Sequence, residues 1–421
     1  MRPGRTEALV RAVLVAALVL LIGATRPVRA EMPLARSFSA AGLARVSAFL
    51  RGEVAARRIP GAVLLIEQHG RPVLSETFGL RNVTTAQPMT QDSIFRLYSM
   101  SKPITSVAAM MLVDDGKLAL DDAVARYIPA FADVQVGVPK ADGGLALQPL
   151  VRPITVRDLL RHTSGITYGF YGDSPVRRLY AQAGLFDGDP DNAEFVARLA
   201  RLPLAEQPGS LWDYGHSTDV LGRVIEIVSG LSLHEFEKQR LLDPLGMRDT
   251  AFFVADEARR PLTAEPLPGE WFDRPIAGIT EATAPRRWES GGAGMVGTIR
   301  DYARFAQMLL NGGELDGRRY LRRETAALMA SDQIGEASGV AKDPGFYFPG
   351  RDSGFGLGFA VRTVVDGPIP AGEYRWDGVG GTFFFIDPAD DMFVICMMQA
   401  PAQRGPIQDE LKRLVYGAMR R

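Results

Sequence analysis

The 421-residue sequence predicts an α/β (α+β) fold: one antiparallel sheet built from both chain ends, flanking helices, and an inserted, mainly helical lobe. Three observations lead there. β-type apolar runs occur at 61–67 and 72–78, and strand character returns only at 358–365, 373–376, 382–386 and 392–398. Between these ends, apolar residues recur at helical spacing. A hydrophobic content of 46% is enough for one large core or two lobes.

Taken in order, the first thirty residues stand apart. Arg2, Arg5 and Arg11 precede an apolar run over 12–24, and Val28-Arg29-Ala30 resembles a small-residue cleavage site before Glu31. That is the pattern of a secretory signal peptide. The run is short for a bilayer span, so export to the periplasm or medium is favoured over a retained anchor. No stable membrane span is expected in the mature chain. Removing residues 1–30 takes away five Arg and one Glu, leaving 43 basic against 48 acidic residues, a formal charge of −5. No basic stripe appears, which argues against nucleic-acid partners.

The mature chain, 31–421, then divides into an expected α/β lobe (38–98 and 299–421) and a helical and loop lobe (99–298). An amphipathic helix is predicted over 41–55. The strands 61–67 and 72–78 are joined by the turn His69-Gly70-Arg71. A mostly apolar helix follows Lys102, with Pro103 in its first turn and Asp115-Gly116 as its stop. Thr155 sits in a capping position for another helix. Further helices are predicted over 217–228, 232–242 and 298–310, and a last one over 406–419. The stretches 166–190, 252–290 and 330–356 show little periodicity and read as long functional loops. Cys396, alone in an apolar run, reads as an inert core thiol. The four histidines are scattered, so no metal and no cofactor are expected.

Ser99-Met100-Ser101-Lys102 carries the chemistry. Residues three apart share a helix face, so hydroxyl and amine can meet. A desolvated amine can take the proton that makes serine a nucleophile. Only six of the 48 basic residues are lysine, and none but Lys102 follows a serine at this spacing. Arginine keeps its proton and could not replace it.

Further segments raise the specificity of this S-x-x-K pattern. Phe95-Arg96-Leu97-Tyr98-Ser99-Met100-Ser101-Lys102 resembles the active-site segment of class C β-lactamases and their relatives. His162-Thr163-Ser164-Gly165 is similar to the family's H-T-S-G turn. Pro208-Gly209-Ser210-Leu211-Trp212-Asp213-Tyr214-Gly215-His216 is similar to its P-G-x-x-x-x-Y-S-N segment. Gly291-Gly292-Ala293-Gly294-Met295-Val296-Gly297-Thr298 resembles the glycine-rich approach to a late helix, and Trp376-Asp377-Gly378-Val379-Gly380-Gly381-Thr382 stands at the K-T-G or H-x-G strand. Over residues 40–420 the chain thus resembles the serine β-lactamase/penicillin-binding-protein-like family, with its W-G-G variant pointing to family VIII carboxylesterase-type hydrolases.

The resemblance implies a β-lactamase/transpeptidase-like fold, with Ser99 as nucleophile, Lys102 as proton acceptor and Tyr214 as proton relay. It places the backbone N–H groups of Ser99 and Val379 at the oxyanion hole. Trp376, Asp377, Gly378 and His216 become the substrate-binding candidates, and His162 a structural residue. Trp376 replaces the cationic lysine that neutralises a substrate carboxylate, and His216 replaces an asparagine that contacts amide side chains. Both departures favour small, uncharged esters or related acyl compounds as partners. A class C-like β-lactamase, a D-alanyl-D-alanine carboxypeptidase and a non-catalytic binding protein remain the alternatives. An α/β-hydrolase elbow at Gly215-His216-Ser217-Thr218-Asp219 lacks a suitable downstream histidine.

Overall fold

The computed structural model describes residues 36–270, 280–343 and 348–420. The expected signal segment lies outside the described residues, as do Trp271, Phe346 and Tyr347 in the long loops expected over 252–290 and 330–356. Within Phe38–Arg420, strands from the two chain ends form one antiparallel sheet. Its members are β1 (Gly61–Gln68), β2 (Arg71–Asn82), β3 (Gln87–Pro88), β4 (Ser353–Phe355), β5 (Ala360–Arg362), β6 (Tyr374–Asp377), β7 (Phe383–Asp387) and β8 (Met392–Met398). They lie in the order β4-β5-β6-β7-β8-β1-β2-β3. The join between the ends is the β8–β1 pair, with Ile395 opposite Leu65.

Successive strand residues point to opposite faces. Val63, Leu65, Phe384, Ile386, Phe393 and Ile395 enter one core, while Leu64, Ile66, Phe383, Phe385, Val394 and Cys396 enter the other. Both faces are covered, which is why these strands read as continuous apolar runs. On the second face lie α1 (Ala40–Ala55) and α10 (Arg404–Ala418), through Val46, Leu50, Ile407 and Leu411. The first face carries α2 (Ser101–Asp114), α6 (Ser217–Ser229) and α8 (Ile299–Leu310). Cys396 is fully buried, and burial pushes its thiol up to about 12. His69 keeps its turn position at φ 53°, with Nδ1 2.9 Å from Asp391.

Local signals account for the helix ends. Ser39 Oγ accepts from the Gly42 N–H at 3.1 Å to open α1. Thr155 and Asp158 form a reciprocal capping box at α3 (Val156–Leu160). Gly230 ends α6 at φ 74°.

Some expectations need correction. The stretch 166–190 contains α4 (Pro175–Gln182), capped by Ser174, and 330–356 contains strand β4. A second helix, α5 (Asn192–Leu199), opens with an Asp191/Glu194 capping box, and α9 spans Arg323–Met329. Strand structure also occurs mid-chain, in the hairpin Val136–Pro139 with Leu145–Gln148. These elements are too short for periodicity to rise above the background. The predicted helix 232–242 is α7 (Leu233–Glu237) followed by a π-helical turn, Lys238–Leu242. Among the described residues, no helix is long and apolar enough to cross a membrane.

What positions the candidate site is a close approach between the end of β6 and the turn before α2. Gly378 N–H donates to the Thr382 carbonyl at 2.7 Å, and Thr382 Oγ1 donates to the Leu97 carbonyl at 3.3 Å. A Cβ on Gly378 would stand 2.2 Å from that carbonyl oxygen. Gly378→Ala should therefore lower unfolding stability by about 1–3 kcal/mol through overpacking. Phe384→Ala, emptying a wholly buried site beside Tyr302, should cost about 3–5 kcal/mol. Denaturant midpoints check both, and a Gly378→Ala protein as stable as wild type would contradict the close approach.

Candidate active site

Ser99 lies in a single 3₁₀ turn, Tyr98–Met100, that runs directly into α2. Tyr98 holds a left-handed φ of 46°, a conformation that a non-glycine residue keeps only when its surroundings fix it. Its ring is buried, whereas Ser99 is half-buried. The strained turn thus lifts the Ser99 hydroxyl out of an otherwise buried segment.

Lys102 begins the next turn and is wholly buried. Its Nζ lies 3.3 Å from Ser99 Oγ, 3.2 Å from the Tyr168 phenol oxygen and 2.7 Å from the Gly292 carbonyl oxygen. Burial in low dielectric disfavours the ammonium form. It brings the Lys102 pKa down to about 7, against the upward pull of the Asp219 and Asp377 charges.

Tyr214 completes the cluster, with Lys102 Nζ 4.5 Å from its ring centroid. Burial, reinforced by Tyr171, holds the phenol well above its usual range, while hydrogen bonding with Ser99 and Trp376 pulls the other way. The segment carrying Tyr214 is fixed from below. Asp213 accepts two 2.9 Å bonds from the buried Arg177 guanidinium, and its own N–H donates to the His162 carbonyl at 2.9 Å. The His162 ring packs 4.8 Å from Tyr214, and burial keeps its imidazole neutral.

The remaining candidates surround this centre unequally. Trp376 is buried, its ring 5.4 Å from Tyr214 and 5.3 Å from Phe355. Asp377 is half-buried, with Arg404 Nε 3.6 Å away at the start of α10. Gly378 and Val379 belong to the turn that leans on the Ser99 segment through Leu97 and Thr382. His216 is buried, with Nδ1 2.9 Å from Asp219 Oδ2 and its ring 4.4 Å from that of Tyr168.

Sequence reasoning missed Tyr168, which touches the amine as directly as Ser99 does. The aromatic run Tyr168-Gly169-Phe170-Tyr171 just after the H-T-S-G turn was its only signal. It also missed Asp219, Ser290 and Gly292, which meet behind Lys102. Among the described residues, no group of three or more His, Cys, Asp and Glu side chains could hold a metal ion.

Comparison with known proteins places the chain. The Beta-lactamase family model matches residues 46–416. Protein Rv1367c of Mycobacterium tuberculosis is 37% identical over 81% of this chain and 86% of its own length. Esterase EstB of Burkholderia gladioli is 33% identical over 91% of this chain and 98% of its own. Among solved structures, EstCE1, described as a hydrolase with promiscuous acyltransferase activity, superposes with a TM-score of 0.75 at 29% identity, covering 90% of this chain and 99% of that one. The chain belongs to the Beta-lactamase family, and within it is a serine hydrolase related to the family's esterases.

Proposed function

We propose that the protein cleaves small, uncharged esters through an acyl-enzyme on Ser99, with Lys102 and Tyr214 moving the proton. The observation that carries this reading is the wholly buried Lys102 amine 3.3 Å from the Ser99 hydroxyl. As Ser99 Oγ bonds to the ester carbonyl carbon, its proton passes to the neutral amine. The oxyanion forms toward the backbone N–H groups of Ser99 and Val379. The tetrahedral intermediate expels the alkoxide, which takes a proton relayed through the Tyr214 phenol. Water then attacks the acyl-enzyme by the same route in reverse, releasing the acid and restoring Ser99.

The walls support this substrate class. Trp376 offers an indole where a cation would hold a carboxylate, and Asp377 adds negative charge nearby. Esterase EstB and the hydrolase EstCE1 are consistent with ester chemistry on this framework. The active centre draws on both proposed lobes: Ser99, Lys102 and Tyr214 from 99–298, and Trp376 to Val379 from the sheet lobe. The pattern of residues 1–30 supports export, with the reaction taking place in the periplasm or outside the cell.

Because Lys102 must be neutral to accept a proton, kcat/KM for p-nitrophenyl butyrate should rise as pH climbs through about 7. Lys102→Arg should fold and lose at least about 100-fold in rate; an active Lys102→Arg enzyme would remove lysine from the mechanism. Ser99→Ala should abolish the acylation burst. The ester should also be turned over faster than a chromogenic cephalosporin, and the opposite order would reassign the enzyme as a β-lactamase.

A further inference from the structure

We propose that Asp219 is a positioning residue for the proton acceptor: its buried carboxylate, fixed by His216 and Ser290, holds the Gly292 amide so that the Gly292 carbonyl docks the Lys102 amine against Ser99. This inference rests on the esterase reading above and adds a role beyond those of Ser99, Lys102 and Tyr214.

Asp219 lies in the first turn of α6, where an acidic side chain ordinarily serves its own helix. One of its described side-chain bonds stays with the N-cap residue His216, and the other two leave the helix. Oδ2 meets His216 Nδ1 at 2.9 Å; Oδ1 accepts from Ser290 Oγ at 2.6 Å and from the Gly292 N–H at 3.1 Å. The directions are determined by the neighbours. Ser290 Oγ accepts from the Ala293 N–H at 3.0 Å, so its own proton is free to point at Asp219. A carboxylate facing Nδ1 requires that nitrogen to carry the hydrogen.

Gly292 then spans the gap in one residue. Its N–H is held by Asp219 from α6, and its carbonyl accepts from Lys102 on α2 at 2.7 Å. The fit is too tight for a side chain unless its neighbours shift. A Cβ on Gly292 would stand 3.0 Å from an Asp219 carboxylate oxygen, and one on Gly291 would stand 2.9 Å from Thr105 and 3.0 Å from the Thr218 carbonyl. One turn below, Thr105 Oγ1 lies 3.0 Å from both the Gly291 carbonyl and Glu237 Oε1. The glycine pair is thus gripped from both helices.

The same carboxylate acts on Lys102 electrostatically. The titratable groups around the amine are Tyr168 and Tyr214 in contact, Asp219 and Asp377 through space, Glu237 behind Thr105, and His162 beyond Tyr214. Asp219 favours the protonated amine and opposes burial, so the network sets both the place and the basicity of Nζ.

Asp219→Asn tests this, since it keeps the shape and removes the charge. With p-nitrophenyl butyrate, the acid limb of the kcat/KM profile should move to lower pH by about one unit. Asp219→Ala, which removes the oxygen that holds the Gly292 N–H, should lower kcat by roughly 10- to 100-fold with KM little changed. A profile superimposable on that of wild type would overturn the proposal. Should Asp219→Asn fail to fold, Gly292→Ala decides: a fall in kcat at unchanged KM supports the role, and full kcat overturns it. Ser99→Ala in parallel separates the two levels. Activity surviving there overturns the underlying esterase reading, whereas activity lost there with an unshifted Asp219→Asn profile overturns the positioning role alone.

Discussion

A lysine amine sealed inside protein, bonded only to neutral partners among its described contacts, is the constraint around which this molecule is arranged. Those partners are a serine hydroxyl, a phenol and a peptide carbonyl. A charge so placed has lost its water without gaining a directly bonded counter-ion, and the amine answers by giving up its proton more readily. Full protonation would need a carboxylate in contact; complete neutrality would need no carboxylate at all. Asp219 sits between these limits, one residue removed, and two tyrosines line the remaining side. The serine chemistry proposed here depends on that balance more than on any single bond.

The fold supplies this environment from three separated parts of the chain. The 3₁₀ turn Tyr98–Met100 and the start of α2 bring Ser99 and Lys102 together, and the apolar length of α2 anchors them to the core. The Tyr214 segment is fixed by a buried ion pair, in which Arg177 Nη2 donates to both oxygens of Asp213 and offsets part of the desolvation that raises its pKa. The sheet contributes the third part, the end of β6, seated on the backbone of Leu97. The strained Tyr98 backbone lies where these parts converge, consistent with strain being retained where surrounding structure determines it.

How much of this was legible in the sequence depends on distance along the chain. Ser99 and Lys102 could be paired from spacing alone, because one helical turn dictates their proximity. The long strands were legible because both sheet faces are covered, which turns 61–67 and 392–398 into unbroken apolar runs. Tyr214 and Trp376 could be placed only through resemblance, since no local rule brings residues so far apart to one point. Gly292, 190 residues from Lys102, gave no local sign of its role, and Tyr168 was hidden in a stretch read as loop. The short helices α4 and α5 were missed although Ser174-Pro175 and Asp191-x-x-Glu194 are helix-start signals. At eight residues each, they present too little of a face for a pattern to stand out.

The second core has a consequence for the chemistry of the molecule's surroundings. Its single sulfhydryl, Cys396, lies at the centre of a sheet layered on both sides, with no solvent contact and a proton it does not release near neutrality. Mixed-disulfide exchange and peroxide attack both require an accessible thiolate. In its native state the chain therefore presents no thiol for an oxidant to cross-link, and disulfide exchange does not reach the sheet that carries the proposed catalytic wall.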